Sequence, residues 1–194
     1  MNKDQIINQL KNNIPPKQYS ESDRLRLAVE SAQLGFWDWN IKTGELFWSE
    51  RIASLFGYGQ GELETSYDNF VAAIHTDDKE LVLSAIDNCI ENGFDYNIEH
   101  RVTWPDGQVR WVQETGDIIR DSEGVAIKMM GVIQDIHLRK ITEVALRESE
   151  EKYRQLFELS EDPMWLIVKD EFALANAAAA QVLGYKNSIE LQNT

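Results

Sequence analysis

The stretch that decides the fold is residues 100–136, which read HRVTWPDGQVRWVQETGDIIRDSEGVAIKMMGVIQDI. Two turn signals, Pro105-Asp106-Gly107 and Asp121-Ser122-Glu123-Gly124, separate three runs rich in β-branched and aromatic residues. Pro fixes φ, Asp bonds its own backbone, and Gly takes the positive φ that closes a tight turn. The stretch therefore predicts three antiparallel strands in a meander, and the last strand leads directly into a charged helical pattern.

Two shorter strands are predicted upstream, at residues 36–40 and 45–48, joined by the turn Lys42-Thr43-Gly44. Helices are predicted at residues 3–12, 23–34, 50–56, 67–74 and 77–92. Their expected N-caps are Ser22, Ser49 and Thr76, and their expected C-terminal glycines are Gly35 and Gly93. Two strands, a set of short helices and then three strands predict an α+β fold, with the helices on one face of a five-stranded antiparallel sheet.

Composition limits the classes of function. The chain of 194 residues carries a formal net charge of −14, which disfavours nucleic acid and anionic membrane surfaces as partners. A single cysteine excludes an internal disulfide and favours a reducing compartment. No apolar run suits a membrane span, and the N-terminus lacks the apolar core of a signal peptide. We therefore expect a cytoplasmic protein without direct membrane contact.

Several short motifs occur in a characteristic order. They are Trp37-x-Trp39, Trp48-Ser49, Leu55 to Tyr58, Ile74 to Asp78, Glu99-x-Arg101, Pro105 to Trp111 and Gly131 to Lys140. On these motifs, residues 25–140 resemble a PAS domain of the Trp-x-Trp subgroup. The resemblance implies the PAS fold and a sensory role in a larger bacterial receptor.

A partial repeat of the pattern follows in residues 160–185. It resembles the first two strands and the first helix of a second PAS domain, and ends in Leu183-Gly184-Tyr185. We expect this second domain to be truncated. The predicted organisation is an N-terminal helix and linker (1–21), a PAS domain (22–137), a signalling linker helix (138–159) and a partial second PAS domain (160–194).

A pocket is expected between the inner face of the sheet and the short helices. Strand alternation turns Trp37, Trp39, Ile98, His100 and Val102 inward. The resemblance adds others from the later strands and the helices, namely Val112, Met129, Ile133, Phe56 and Phe70. Aromatic side chains can equally fill this space, so a bound small molecule and a filled core are both left open.

The cofactor is left unknown. A flavin such as FAD is the first candidate, because the subgroup includes flavin-binding redox sensors. The blue-light chemistry of LOV domains is disfavoured, because the helix at residues 67–74 has no cysteine and Cys89 belongs to an apolar stripe. Haem is disfavoured, because His75 and His137 suit helix junctions and His100 suits a neutral, hydrogen-bonded core position. No catalytic or metal-ligating constellation is found, so no enzyme activity is expected for this chain.

The exit from the sheet is the predicted site of signal relay. Its residues are Asp135, His137, Leu138 and Ile141, with His137 replacing the threonine of the PAS pattern. The helix that follows has opposite charges at i,i+4 and a narrow apolar seam, which suits a coiled coil in a homodimer. The alternative is a solvated spacer helix. The resemblance implies a downstream effector, either a histidine kinase or a diguanylate cyclase; a ligand-free dimerisation or spacer module is the alternative function.

Overall fold

The computed structural model describes residues 20–59, 61–168 and 171–192. The chain divides into two compact units, Met1–Ile136 and His137–Thr194. The helix predicted at residues 3–12 lies outside the described residues. The division into four segments that the sequence suggests stays a prediction. Within the described residues, no helix is both long and apolar enough to cross a bilayer.

The first unit is built on a five-stranded antiparallel sheet. Its strands are β1 (Gly35–Asn40), β2 (Leu46–Trp48), β3 (Tyr96–Thr103), β4 (Val109–Arg120) and β5 (Ala126–Asp135). Their order across the sheet is β2-β1-β5-β4-β3. The N–H of Gly107 bonds the Trp104 carbonyl at 2.9 Å, and the N–H of Gly124 bonds the Asp121 carbonyl at 3.0 Å. These two turns confirm the predicted meander.

Among the described residues, four α-helices accompany the sheet: α1 (Glu21–Ser31), α2 (Glu50–Leu55), α3 (Tyr67–Ala73) and α4 (Lys79–Asn92). A 3-10 turn, Thr76–Asp78, comes directly before α4. One core cluster joins inward side chains of the strands, such as Met129, to helix residues such as Ile52, Phe70 and Val82. The predicted α+β fold, with short helices on a five-stranded sheet, is confirmed.

Some details of the helix ends differ from the sequence prediction. Ser20, not Ser22, caps α1, and its hydroxyl accepts the N–H of Asp23 at 3.1 Å. Ser49 stands at the N-terminus of α2 without capping it, because its hydroxyl accepts the N–H of Phe36 at 2.9 Å. His75 replaces Thr76 as the cap of the 3-10 turn. Two of the observed caps, Ser20 and His75, thus lie one or two residues before the predicted ones. Ser49 lies at the predicted position but bonds a different partner.

Gly35 begins β1 and does not end a helix. A Cβ atom at this position would lie 2.7 Å from both Ile133 and Ile52. Because glycine has no side chain, β1 passes close to helix α2 at this position. Gly35 is therefore required for packing.

Two sequence motifs are joined by one ion pair. The Asp78 carboxylate accepts the backbone N–H of Arg101 at 2.8 Å, its Nε at 2.9 Å and its Nη2 at 2.6 Å. Hydrogen bonds and charge from Arg101 hold the pKa of Asp78 below its usual range, against the opposing effect of burial. The pair fastens the start of α4 to strand β3.

The second unit contains α5 (His137–Leu159), β6 (Trp165–Val168), β7 (Glu171–Ala175), α6 (Ala177–Val182) and α7 (Ser188–Gln192). Strands β6 and β7 form an antiparallel pair. Asn176 is fully buried, and its amide donates to the carbonyls of Asp162 at 2.8 Å and Phe157 at 3.1 Å. One side chain thus ties the last turns of α5 to the start of α6.

The two units share a local arrangement. Ser49 and Phe36 exchange two hydrogen bonds in the first unit, through the Ser49 side chain and main chain. Asn176 and Met164 exchange the same two bonds in the second. This repeated geometry agrees with the sequence repeat.

Candidate ligand site in the first unit

A cavity of about 40 Å³ lies between the inner face of the sheet and helices α2, α3 and α4. Six of the ten residues predicted for a pocket line it: Trp37, Trp39, Phe56, Phe70, Met129 and Ile133. The other four, Ile98, His100, Val102 and Val112, are buried in the surrounding core and do not line the cavity.

The cavity also has lining residues that the sequence analysis did not select. They are Leu46, Trp48, Ile52, Tyr67, Ile86, Tyr96 and Glu114. Strand alternation could have found Glu114, because it stands two residues after the inward Val112 on β4. Glu114 was not predicted as a lining residue because carboxylates are generally expected to face solvent.

Glu114 belongs to a buried polar cluster with two residues of β3. Its Oε2 accepts the Tyr96 hydroxyl at 3.1 Å, and its Oε1 lies 3.3 Å from His100 Nε2. The side chains of His100 and Glu114 are 0% and 5% exposed. The cluster places one carboxylate, with a fixed orientation, in the wall of an otherwise apolar cavity.

The cluster shifts two pKa values. Burial lowers the pKa of His100, but the hydrogen bond and the charge of Glu114 outweigh it, so the pKa of His100 is raised above 6.5. Burial, reinforced by the charge of Glu114, raises the pKa of Tyr96 far above its ordinary value. The neutral state expected for His100 stays a prediction; its partner is a carboxylate, which favours the charged form of the imidazole.

Trp37 forms the floor of the cavity. A Cβ atom at Gly116 or Gly131 would lie 2.7 Å or 2.6 Å from its indole ring, so the ring rests directly on two glycines of neighbouring strands. At Gly131 the same atom would also lie 2.1 Å from the Thr115 carbonyl oxygen. Trp37 and Tyr96 meet edge to face, with ring centroids 6.0 Å apart. The sheet surface is thus covered by a flat aromatic side chain.

Trp39 and Tyr67 stack on each other, with ring centroids 5.1 Å apart and an interplanar angle of 23°. Both are only partly buried. Among the described residues, the buried indole N–H groups of Trp37 and Trp39 have no hydrogen-bond partner. A buried donor without an acceptor is costly, so these groups favour a water or a ligand heteroatom beside them.

The residues present do not fit a flavin in this conformation. Ligand pockets for such molecules measure roughly 300–1,000 Å³, far more than the cavity of about 40 Å³. Cys89, on α4, is buried, and burial raises the pKa of its thiol. His100 does not line the cavity, and His75 accepts the N–H of Asp77 at 3.3 Å. Neither a flavin nor a haem is therefore assigned to this cavity.

The predicted relay residues lie at the end of β5 and the start of α5. Asp135 is the last residue of β5 and His137 the first of α5. Between them, Ile136 is 4% exposed and its N–H bonds the Trp111 carbonyl at 3.0 Å. Leu138 and Ile141 are 74% and 48% exposed. The sheet and the helix are thus separated by a single anchored residue.

Comparison with known proteins places these features in a family. The PAS fold family matches residues 45–133, and a PAS domain family matches residues 151–193. The crystal structure of a sensory box histidine kinase/response regulator from Burkholderia thailandensis E264 is 38% identical, with a TM-score of 0.60. The match covers 69% of this chain and 99% of that chain.

Two further relatives agree. The N-terminal domain of a diguanylate cyclase with PAS/PAC sensor from Marinobacter aquaeolei is 25% identical, with a TM-score of 0.50, over 55% of this chain and 98% of that chain. Sensor protein FixL from Bradyrhizobium diazoefficiens is 32% identical over 78% of this chain, but this chain spans only 30% of its length. With the fold, the motifs and the repeated geometry, these matches show that the chain belongs to the PAS family.

Proposed function

We propose that this chain is the sensory part of a larger signal-transduction receptor. Its first PAS domain detects a small ligand or a redox state, and α5 relays the response towards the second PAS domain and a downstream effector. The similar proteins named as a histidine kinase/response regulator and as a diguanylate cyclase support one of these two effectors. The chain itself acts as the sensor, without catalysis.

The observation that carries this proposal is the path of β5. Met129 and Ile133 of this strand line the cavity, and both are 1% exposed. After Asp135, one buried residue leads into the 23 residues of α5. A helix of that length spans about 34 Å. A displacement of β5 by a ligand is therefore passed through the main chain at Ile136 directly into the long helix α5.

We further propose that α5 pairs with α5 of a second copy. The described residues of this helix include none that are buried. Leu146, Tyr153 and Leu156 are 60%, 70% and 61% exposed. An exposed apolar stripe of this kind is typical of an interaction surface. Burial in a two-stranded coiled coil would cover them. The alternative, a solvated spacer helix, leaves them in water.

A second candidate function is a ligand-free dimerisation or spacer module. The small volume of the cavity, about 40 Å³, and the position of Trp37 on the sheet favour it. In this case the aromatic side chains serve as core, and signals arise elsewhere in the receptor.

Absorbance spectroscopy of the purified chain and mass spectrometry of its denatured extract distinguish the two functions. We expect a small molecule in stoichiometric amount, or one that binds saturably when added. An extract without such a molecule, together with a protein that binds none of a library of small metabolites, would favour the spacer function and contradict sensing by this cavity.

A further inference from the structure

The walls of the cavity in the first PAS domain are mostly aromatic rings. Seven of its thirteen lining residues are Trp, Tyr or Phe. Trp48 and Phe56 meet edge to face at 5.4 Å, and Tyr67 lies 6.2 Å from Phe70 in addition to its stack with Trp39. Faces of such rings carry partial negative charge and attract cations, with Trp the strongest.

Among the described residues that line the cavity, Glu114 has the single charged side chain. Tyr96 and His100 hold its carboxylate in place, and no Lys or Arg from the described part of the chain lines the cavity. Each carboxylate oxygen has a further lone pair for another donor. The rings and the carboxylate therefore both favour a positively charged ligand and disfavour phosphates and carboxylates, while the indole N–H groups of Trp37 and Trp39 need a water molecule as their acceptor.

The volume restricts the size of that ligand. A cavity needs roughly 10–15 Å³ by this measure to hold one water molecule, so about 40 Å³ accommodates only a few heavy atoms. The stacked pair of Trp39 and Tyr67 is partly exposed, so this part of the wall borders the solvent.

We propose that this cavity binds a small organic ammonium ion, between methylammonium and trimethylammonium in size, with its N–H directed at Glu114 and its methyl groups against the aromatic rings. The proposal rests on the sensory function proposed above and names the chemical class of the ligand. Trp39 and Tyr67 close over the ion, and Glu114 supplies the charge that selects it over neutral molecules of the same shape.

The test is a titration of the whole chain, followed by tryptophan fluorescence and by calorimetry. The probes are methylammonium chloride and trimethylammonium chloride; 2-propanol serves as a neutral molecule with the heavy-atom count of trimethylammonium, and sodium chloride controls for ionic strength. We expect saturable binding of at least one ammonium ion and none of 2-propanol. Equal responses to 2-propanol, or no saturation with either ammonium ion, would overturn the proposal.

Variants sharpen the result. Glu114→Gln keeps the volume and removes the charge, so we expect affinity to fall about tenfold or more. Because this change also disturbs the buried cluster, Trp39→Phe provides an independent test that leaves Glu114 and its partners intact, with an expected loss of several-fold. Trp111→Phe, on a ring outside the cavity, is the matched control and should bind as the unchanged chain does. Unaltered affinity in both cavity variants would contradict the assignment.

The outcome separates this proposal from the proposed function. If the chain binds a neutral or anionic small molecule and no ammonium ion, the sensory function stands and the ligand class is wrong. If it binds no small molecule of any class, both fail.

Discussion

At the scale of single residues, the carboxylate of Glu114 supplies a buried charge in the cavity wall of the first PAS domain. It is held by Tyr96 and His100 from the neighbouring strand, at 3.1 Å and 3.3 Å. A buried charge is tolerated only when it is paired and hydrogen-bonded, and both conditions are met here. Removal of either partner leaves an unpaired buried group, so the cluster behaves as one unit.

The cluster predicts a pH dependence of stability. The groups facing His100 are Glu114 from β4, Asp78 from the 3-10 turn and the Arg101 carbonyl, together with the edge-on ring of Phe70. Burial lowers the pKa of His100, but the net shift is upward from 6.5. The interactions that raise the pKa of His100 in the folded state stabilise that state fully below about pH 6.5. This stabilisation is lost as the pH rises through the folded-state pKa.

We therefore expect the free energy of unfolding to decrease as the pH rises above about 6.5, when measured by urea denaturation. His100→Gln retains a hydrogen-bond donor and removes the titration, so its stability should vary less over the same range. An equal pH dependence in the variant and the unchanged chain would show that His100 is not the responsible group.

Some of these residues were predictable and others were not. Strand alternation alone places His100 inward, because it shares a face with Ile98 and Val102. It cannot show that Glu114 is its partner, since that depends on the β3–β4 register, in which His100 pairs with Val112 and Ile98 pairs with Glu114. The upward shift of the pKa of His100 follows from this partner, so a single sequence could not supply it.

At the scale of elements, α5 stands out because it exposes many large apolar side chains. Leu138, Ile141, Leu146, Tyr153, Leu156 and Leu159 are all more than two-fifths exposed. The helix period and the i,i+4 charge pairs predict its extent closely, because both signals are local. Whether a second helix covers the apolar side depends on a partner, which local patterns do not contain.

A paired substitution tests the proposed dimer. Leu146→Ser with Leu156→Ser removes two side chains whose burial contributes about 1.5–3 kcal/mol each, so we expect dimer affinity to fall by at least about a hundredfold in sedimentation equilibrium. The control is Glu148→Ser with Gln155→Ser on the same helix. A monomeric unchanged chain, or a dimer that both variants preserve, would contradict pairing through α5.

At the scale of the whole molecule, the order of elements was predictable because each strand and turn carries its own signal. The close packing of Trp37 on Gly116 and Gly131 was not, because it depends on strands that are far apart in sequence. The same holds for the cavity: its size depends on how seven aromatic rings pack, which composition and spacing leave undetermined.

The central claim is that a change at the cavity passes along β5 into α5. Met129→Ala removes a cavity-lining side chain from β5, whereas Ile74→Ala truncates an equally buried side chain that does not line the cavity. Both should destabilise the first PAS domain by about 2–5 kcal/mol.

Amide hydrogen exchange of residues 137–159, followed by mass spectrometry in the two variants and the unchanged chain, tests this claim most directly. The account predicts altered exchange in α5 for Met129→Ala and unchanged exchange for Ile74→Ala. Identical exchange in α5 for both variants would contradict it, because a change in the cavity-lining strand would then have no specific effect on the helix.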